Sequence, residues 1–311
     1  MIKAGKSLSL AGSEELLSQL PPGNWVGGTT PYFMGDEGGE FSPLKIFAND
    51  LGVSVKSELA VYDAKGIERV YIDAPENGFS LIVLPASSEV HAQFARRAPN
   101  FTEFAAQPLI GWVAGAGLGS VRATVFNGAE VQASESHAVV LHVRLPSDKA
   151  AAIKIVNIYE QGHGPLIEFE EMSFEPSEAF IDGERRNLAE FLISEKVDPR
   201  LPLVADYFGA MTNTAVQSVD RTSGLTRFHA PVFPNVEYRV ASPVGDFAAA
   251  LQKQMPADTT GCAFLCNSIL NYMYGQLDGK KTGEGRGPLA SGEVAYQLLN
   301  QTMTYLVVDD V

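Results

Sequence analysis

Two cysteines, two tryptophans and five histidines are all that 311 residues provide, and basic side chains are outnumbered by acidic ones, 23 to 37. Each shortage excludes something. Cys262 and Cys266 cannot build a disulfide framework. With His229 the nearest histidine in sequence, they also supply too few ligands for a zinc site, so no metal is expected. The net charge of −14 argues against nucleic acid or an anionic membrane surface as the main partner, because phosphate binding needs clustered Lys and Arg. No apolar run approaches the roughly 20 residues of a spanning helix. The opening MIKAGKSLSLAGSEELL lacks the uninterrupted apolar core of a signal peptide. A soluble, cytoplasmic protein with no membrane partner is the expectation. Catalytic signatures are missing too: there is no Gly-x-Ser-x-Gly, no His-Glu-x-x-His and no dinucleotide fingerprint. The stretch KKTGEGRGP, residues 280–288, has glycines without the order of a phosphate loop and reads as a mobile surface loop.

What is present is ample material for a core: 45% of the residues are hydrophobic and 19% charged, inside the globular range. Ser13 reads as the N-cap of a short helix ending by Pro21. NWVGG reads as a short buried strand running into a bend, and GVSVKSELAVYD and IERVYID as half-buried strands. The continuous apolar run 79–84 stops at Pro85, and a helix capped at Ser87 or Ser88 follows, with His91 facing solvent. Asn127-Gly128 predicts a two-residue hairpin. In HAVVLHVRLP, alternation puts His137, Val139, Leu141, Val143 and Leu145 on one face and His142 on the other. Later strands are AAIKIVNIYE, VEYRVAS, CAFLCN and QTMTYLVVD, and later helices LAEFLISEK and GDFAAALQKQM. The predicted fold is α+β in layers, with mixed, largely antiparallel sheets and flanking helices. A charged, proline-containing junction at 145–152 divides the chain into two similar-sized halves, 1–148 and 149–311.

Two stretches attract attention as a site. In LPPGNWVGGTTPYFM, Gly27 and Gly28 bring backbone freedom and space beside Trp25, Tyr32 and the hydroxyl of Thr29. Near the other end, Glu293, Asn300 and Thr302 supply a carboxylate, an amide and a hydroxyl, suited to the polar end of a small ligand. The alternative for Glu293 is that Ser291 or Gly292 caps a short helix and Glu293 stabilises its first turn. Cys262 and Cys266, four apart, are expected on one face. A rival reading is a hydrolase-like enzyme with Thr29 or Cys266 as nucleophile, although neither has a base nearby in sequence. His91, His137, His142, His163 and His229 offer ligands only for a non-covalent haem, since none sits in a Cys-x-x-Cys-His sequence.

The segment TGCAFLCNSILNYMYG, followed by GPLASGEVAYQLLNQTMTYLVV, resembles the end of the FIST family of bacterial sensory modules. In order upstream, NWVGGTTPYF, GWVAGAGLGSVRATVFNGAEVQASESHAVVLHV and AFIDGERRNLAEFL are similar to that family's small-residue bend, its glycine-rich segment with hairpin and strand, and its Asp-Gly turn with helix. The likeness runs from about Asn24 to Val308. The chain departs from the family in its short first strand, KSLSLAG, and in lacking an arginine soon after Cys266, which marks a divergent branch. The resemblance implies two halves packed around a site for a small molecule, an amino acid or related metabolite. Haem bound through a histidine occurs in some members. Any signalling output is expected to come from a partner protein.

Overall fold

Seven apolar or small residues in a row are stable as a strand only when both faces are covered, and FSLIVLP is placed that way. In the computed structural model, which describes residues 1–52, 54–115, 122–207, 210–255 and 261–311, the strand Gly78–Pro85 lies inside a six-stranded sheet. Its neighbours are Leu109–Ala114, parallel, and Ala138–Arg144, antiparallel, with Lys56–Tyr62 beyond. One face carries the helix Glu89–Arg97 and the segment holding Ile67, Val70 and Tyr71. The other packs through Leu81, Val83 and Trp112 on two further sheets. Val139, Leu141 and Val143 join that second core while Val140 joins the first, so the alternation along this strand is as predicted.

Two sheets mix residues from both ends of the chain. Glu293–Ala295 and Gln297–Leu299 form a tight hairpin that extends the central sheet beside Leu109–Ala114. Tyr32–Gly35 and Gly38–Phe41 continue the sheet built from Lys149–Val156, Met303–Asp310, Cys262–Ser268 and Gly287–Ala290. A five-stranded sheet holds Leu8–Gly12 parallel to Trp25–Thr29. Another six-stranded sheet, ending in Leu203–Tyr207 and Ala210–Thr214, has its own core around the helix Leu188–Ser194. The fold is α+β, with mixed and largely antiparallel sheets and few helices. Among the described residues no helix is long and apolar enough to cross a membrane.

Side-chain caps start the helices where the sequence places them. Ser13 accepts the Leu16 amide, Ser88 the His91 amide, and Asn187 the Glu190 amide. Three expectations need correction. IERVYID is not a strand: Gly66–Arg69 is a 3-10 turn, and Ile67, Val70 and Tyr71, spaced three and four apart, bury one side together. The hairpin at Asn127 has a four-residue loop, because Asn127 pairs with Gln132, and the left-handed residue is Val131 with φ 54°. Gly128 serves a close approach instead, since a Cβ there would stand 2.4 Å from the Trp25 ring. The remainder of the glycine-rich segment, 116–121, lies outside the described residues. Finally, a β-bulge between Cys262 and Phe264 sends the two cysteines to opposite faces: Cys266 enters the core with Trp112, and Cys262 packs beside Leu265 and Met303.

Candidate functional site

The hairpin Glu293–Leu299 is where buried polar groups collect. Glu293 stands opposite Trp112 in the sheet, and both are wholly buried. Thr302 donates its amide and its hydroxyl to Glu293 Oε2 at 3.0 and 2.8 Å. Oε1 has no hydrogen-bond partner among the described residues, and neither has Trp112 Nε1 or Thr304 Oγ1. Burial drives the Glu293 carboxyl up to about 8, against the pull of the Thr302 hydrogen bonds and of the nearby Ser268 hydroxyl, so at neutral pH the group is mostly protonated. On the flank of this cluster, Asn271 donates its amide to Asn267 Oδ1 at 3.0 Å and to the Thr302 carbonyl at 3.3 Å. Asn267 Nδ2 and Asn271 Oδ1 are left unpaired, as is Asn300 Oδ1. An unpaired buried polar atom costs about 1–3 kcal/mol. Their concentration along one hairpin and its neighbours marks this region as a candidate site, since buried polar groups in folded proteins usually have a partner, protein or water.

A cavity of about 420 Å³ opens on the outer side of the same hairpin. Pro99 and Phe104, following the helix Glu89–Arg97, form one wall, and Ala230, Pro231, Phe233 and Leu298 form the other. Arg96, Asn100, Gln297 and Asn213 bring polar groups to it. Its walls therefore come from both halves of the chain. The Arg96 guanidinium lies 5.4 Å above the Phe174 ring, a stacking arrangement that positions the group without consuming its N–H donors. Asn213 is one of the lining residues, but it is almost wholly buried. Its side chain exchanges hydrogen bonds with that of Asn157, both at 3.0 Å, and its amide nitrogen also donates to the carbonyls of Asn300 and Gln301 at 3.1 and 3.3 Å. Those residues lead directly into Thr302, so a three-residue link joins the cavity wall to the Glu293 carboxyl.

Of the residues singled out in the sequence, Glu293, Asn300 and Thr302 sit in this region, and Glu293 and Thr302 are bonded to each other. Glu293 belongs to a strand, so the helix-cap alternative is set aside. The other stretch is split by the period of two in a strand. Gly27 and Gly28 lie within the strand Trp25–Thr29, not at its bend. Trp25 packs against Leu10, Leu17 and Phe126, and its indole N–H donates to the Pro21 carbonyl at 3.1 Å. Gly27 shares that face, where an added Cβ would lie 3.3 Å from the Trp25 ring. Gly28 faces the opposite way: a Cβ there would come within 2.9 Å of Val83, Ala114 and the Trp112 ring. It is thus one ring away from Glu293. Thr29 is buried, its hydroxyl accepting the Thr124 amide at 3.0 Å. Tyr32 packs with tilted rings against Phe41 and Tyr272, centroids 5.0 and 5.6 Å away, in a separate cluster. A single strand cannot aim Trp25, Gly27, Gly28 and Thr29 into one cleft, and Trp112 is the residue that ties this stretch to the C-terminal one.

The nucleophile candidates lack their chemistry here. The Cys266 thiol is held well above its ordinary range, first by burial and then by the neighbouring Glu293, and nucleophilic attack needs the thiolate. Neither Cys266 nor Thr29 bonds to an imidazole or carboxylate among the described residues. His142 has both ring nitrogens engaged, by Tyr62 Oη at 2.9 Å and Ser80 Oγ at 2.7 Å. His91 is buried, not solvent-facing; its ring stands 6.5 Å from Phe174, and burial pushes it down to about 4, with His229 adding to the shift. His137 is tied to Ser134 and Ser136, and His163 is exposed. No histidine, cysteine, tyrosine or methionine is among the described residues lining the cavity, so it does not fit a haem iron, which needs such an axial ligand. No group of three or more metal-ligating side chains occurs among the described residues.

Arg96, Asn213 and Trp112 were not singled out in the sequence. Arg96 looks like a cation placed for the helix dipole, and Trp112 hides in a glycine-rich run. The amides of Asn267 and Asn271 did leave a signal: two asparagines four apart, inside CNSILN, where an apolar strand turns into a helix. The family model for a family of unknown function, DUF6976, matches residues 1–309, so the chain belongs to that family. No curated protein matches it.

Proposed function

We propose that this member of the DUF6976 family is a small-molecule-binding sensory module of FIST type, acting in the cytoplasm and passing its signal to a partner protein. Its ligand, an amino acid or a related metabolite, occupies the cavity beside the hairpin Glu293–Leu299. One observation carries the reading: the cavity is walled by both halves, and one of its lining groups, Asn213, bonds to the link that holds Glu293. A ligand that displaced Asn213 would disturb the Asn300–Thr302 link and with it the hydrogen bonds to Glu293, which is the kind of coupling between occupancy and buried structure that a sensor requires. The resemblance of the order of its motifs to FIST modules is what suggests the same class.

A thermal-shift screen of amino acids and related carboxylates and amines tests this. A ligand that binds only the native state adds about 2.7 kcal/mol at 100 times its Kd, a shift easily read. At least one compound is expected to raise Tm in the wild-type chain and to lose its effect in Leu298→Trp, where the indole fills the cavity. If no compound shifts Tm, or the filled variant responds equally, the reading fails.

A further inference from the structure

We infer that the cavity's ligand is a monocarboxylate with an apolar body about the size of one aromatic ring and without a free ammonium group. This rests on the cavity being a ligand site, and of the two classes named for it, an amino acid or a related metabolite, it sets aside the free amino acid and keeps a related carboxylate.

Charge makes the first argument. In a chain of net charge −14, the only ionisable side chain among the described residues lining the cavity is a cation, Arg96. Arg96 lines the cavity, and its guanidinium, 5.4 Å over the Phe174 ring beside the lining, carries planar N–H pairs of the kind that match a carboxylate in bidentate fashion. Asn100, at the end of the 3-10 turn Ala98–Asn100 that follows the helix, is a further lining residue with a neutral amide. The walls make the second argument. Pro99, Phe104, Ala230, Pro231, Phe233 and Leu298 present carbon surface suited to a ring or a branched chain. A volume of about 420 Å³ lies toward the small end of ligand cavities, roughly 300–1,000 Å³. The third argument concerns the amine. A zwitterionic amino acid would place its ammonium in a space lined by no carboxylate and shared with a guanidinium. Glu293, the nearest buried acid along the link, is wholly inside and mostly protonated at neutral pH.

Isothermal titration with phenylacetate, phenylacetamide and phenylalanine is the test, on the full chain and on Arg96→Gln, Arg96→Lys and Leu298→Trp. Phenylacetate is expected to bind saturably, phenylacetamide and phenylalanine at least about tenfold more weakly. Arg96→Gln should remove the preference for the carboxylate, while Arg96→Lys keeps part of it. Should Arg96→Gln lose its fold, the salt dependence of phenylacetate binding to the wild type answers the same question, since affinity must fall as ionic strength rises. Phenylacetamide binding as tightly as phenylacetate, with both lost in Leu298→Trp, overturns the carboxylate and leaves the cavity site standing. Phenylalanine binding most tightly overturns the exclusion of the ammonium. Phenylacetate binding unchanged in Leu298→Trp overturns the inference and its location together.

Discussion

Glu293 is the residue whose behaviour departs furthest from its type. A wholly buried carboxyl with one oxygen held by Thr302 and the Ser268 hydroxyl nearby keeps its proton up to about pH 8, because burial outweighs those hydrogen bonds. In the unfolded chain the same group ionises near 4.5. Between these values the folded state binds the proton and the unfolded state does not, so stability falls as pH rises from about 4.5 to about 8. Glu293→Gln, which keeps the shape and removes the titration, should erase this decline: urea unfolding at pH 5, 6.5 and 8 is expected to show the variant gaining on the wild type at each step. A parallel pH dependence for the two proteins would mean that Glu293 is ionised in the fold. The sequence showed Glu293 as chemically capable but not its setting. Ser291-Gly292-Glu293 looks like a helix start, and only the pairing of Glu293 with Trp112, 181 residues earlier, makes it a strand and buries it.

Elements were more legible than orientations. The apolar run before Pro85, the cap at Ser88 and the alternating strand at the end of the chain all read correctly, because each is a local consequence of periodicity or capping. The twin glycines mislead for a different reason. Their lack of side chains signals close approach, yet the sequence does not say what approaches. For Gly28 it is Val83, Ala114 and Trp112, so the strand is a packing element joining two sheets. Gly28→Ala should therefore cost about 1–3 kcal/mol, the usual penalty for overpacking a core. Gly164→Ala, with nothing within 4 Å of the added carbon, should change stability by less than about 0.5 kcal/mol. Chemical denaturation of both variants checks this, and an unaffected Gly28→Ala would mean that the space beside Trp112 is open.

At the scale of the whole molecule, strands from opposite ends of the chain share sheets, so the halves are interleaved rather than side by side. That is invisible to a residue-by-residue reading, since alternation marks a strand without naming its partner. It also gives the fold a characteristic response to pH. His91, His142 and His229 are all held below their ordinary range by burial, His91 at about 4. Unfolded histidines take up protons near 6.5, so stability drops as pH falls from about 6.5 toward 4. That trend opposes the Glu293 trend and fades out only about one pH unit above 6.5. Calorimetric Tm values should accordingly decline from about pH 7.5 to about 8.5 in the wild type, as Glu293 loses its proton, and decline less across that range in Glu293→Gln.

The central claim is that a ligand binds in the cavity lined by residues of both halves, at the hairpin Glu293–Leu299. Hydrogen exchange read by mass spectrometry, with the compound giving the largest shift in the thermal screen, tests it most directly. Peptides covering Glu89–Arg97, Ala210–Thr214 and Gln297–Leu299 are expected to gain protection together, with a smaller gain at Thr302. Protection confined to Trp25–Thr29, or to one half of the chain, would contradict the account.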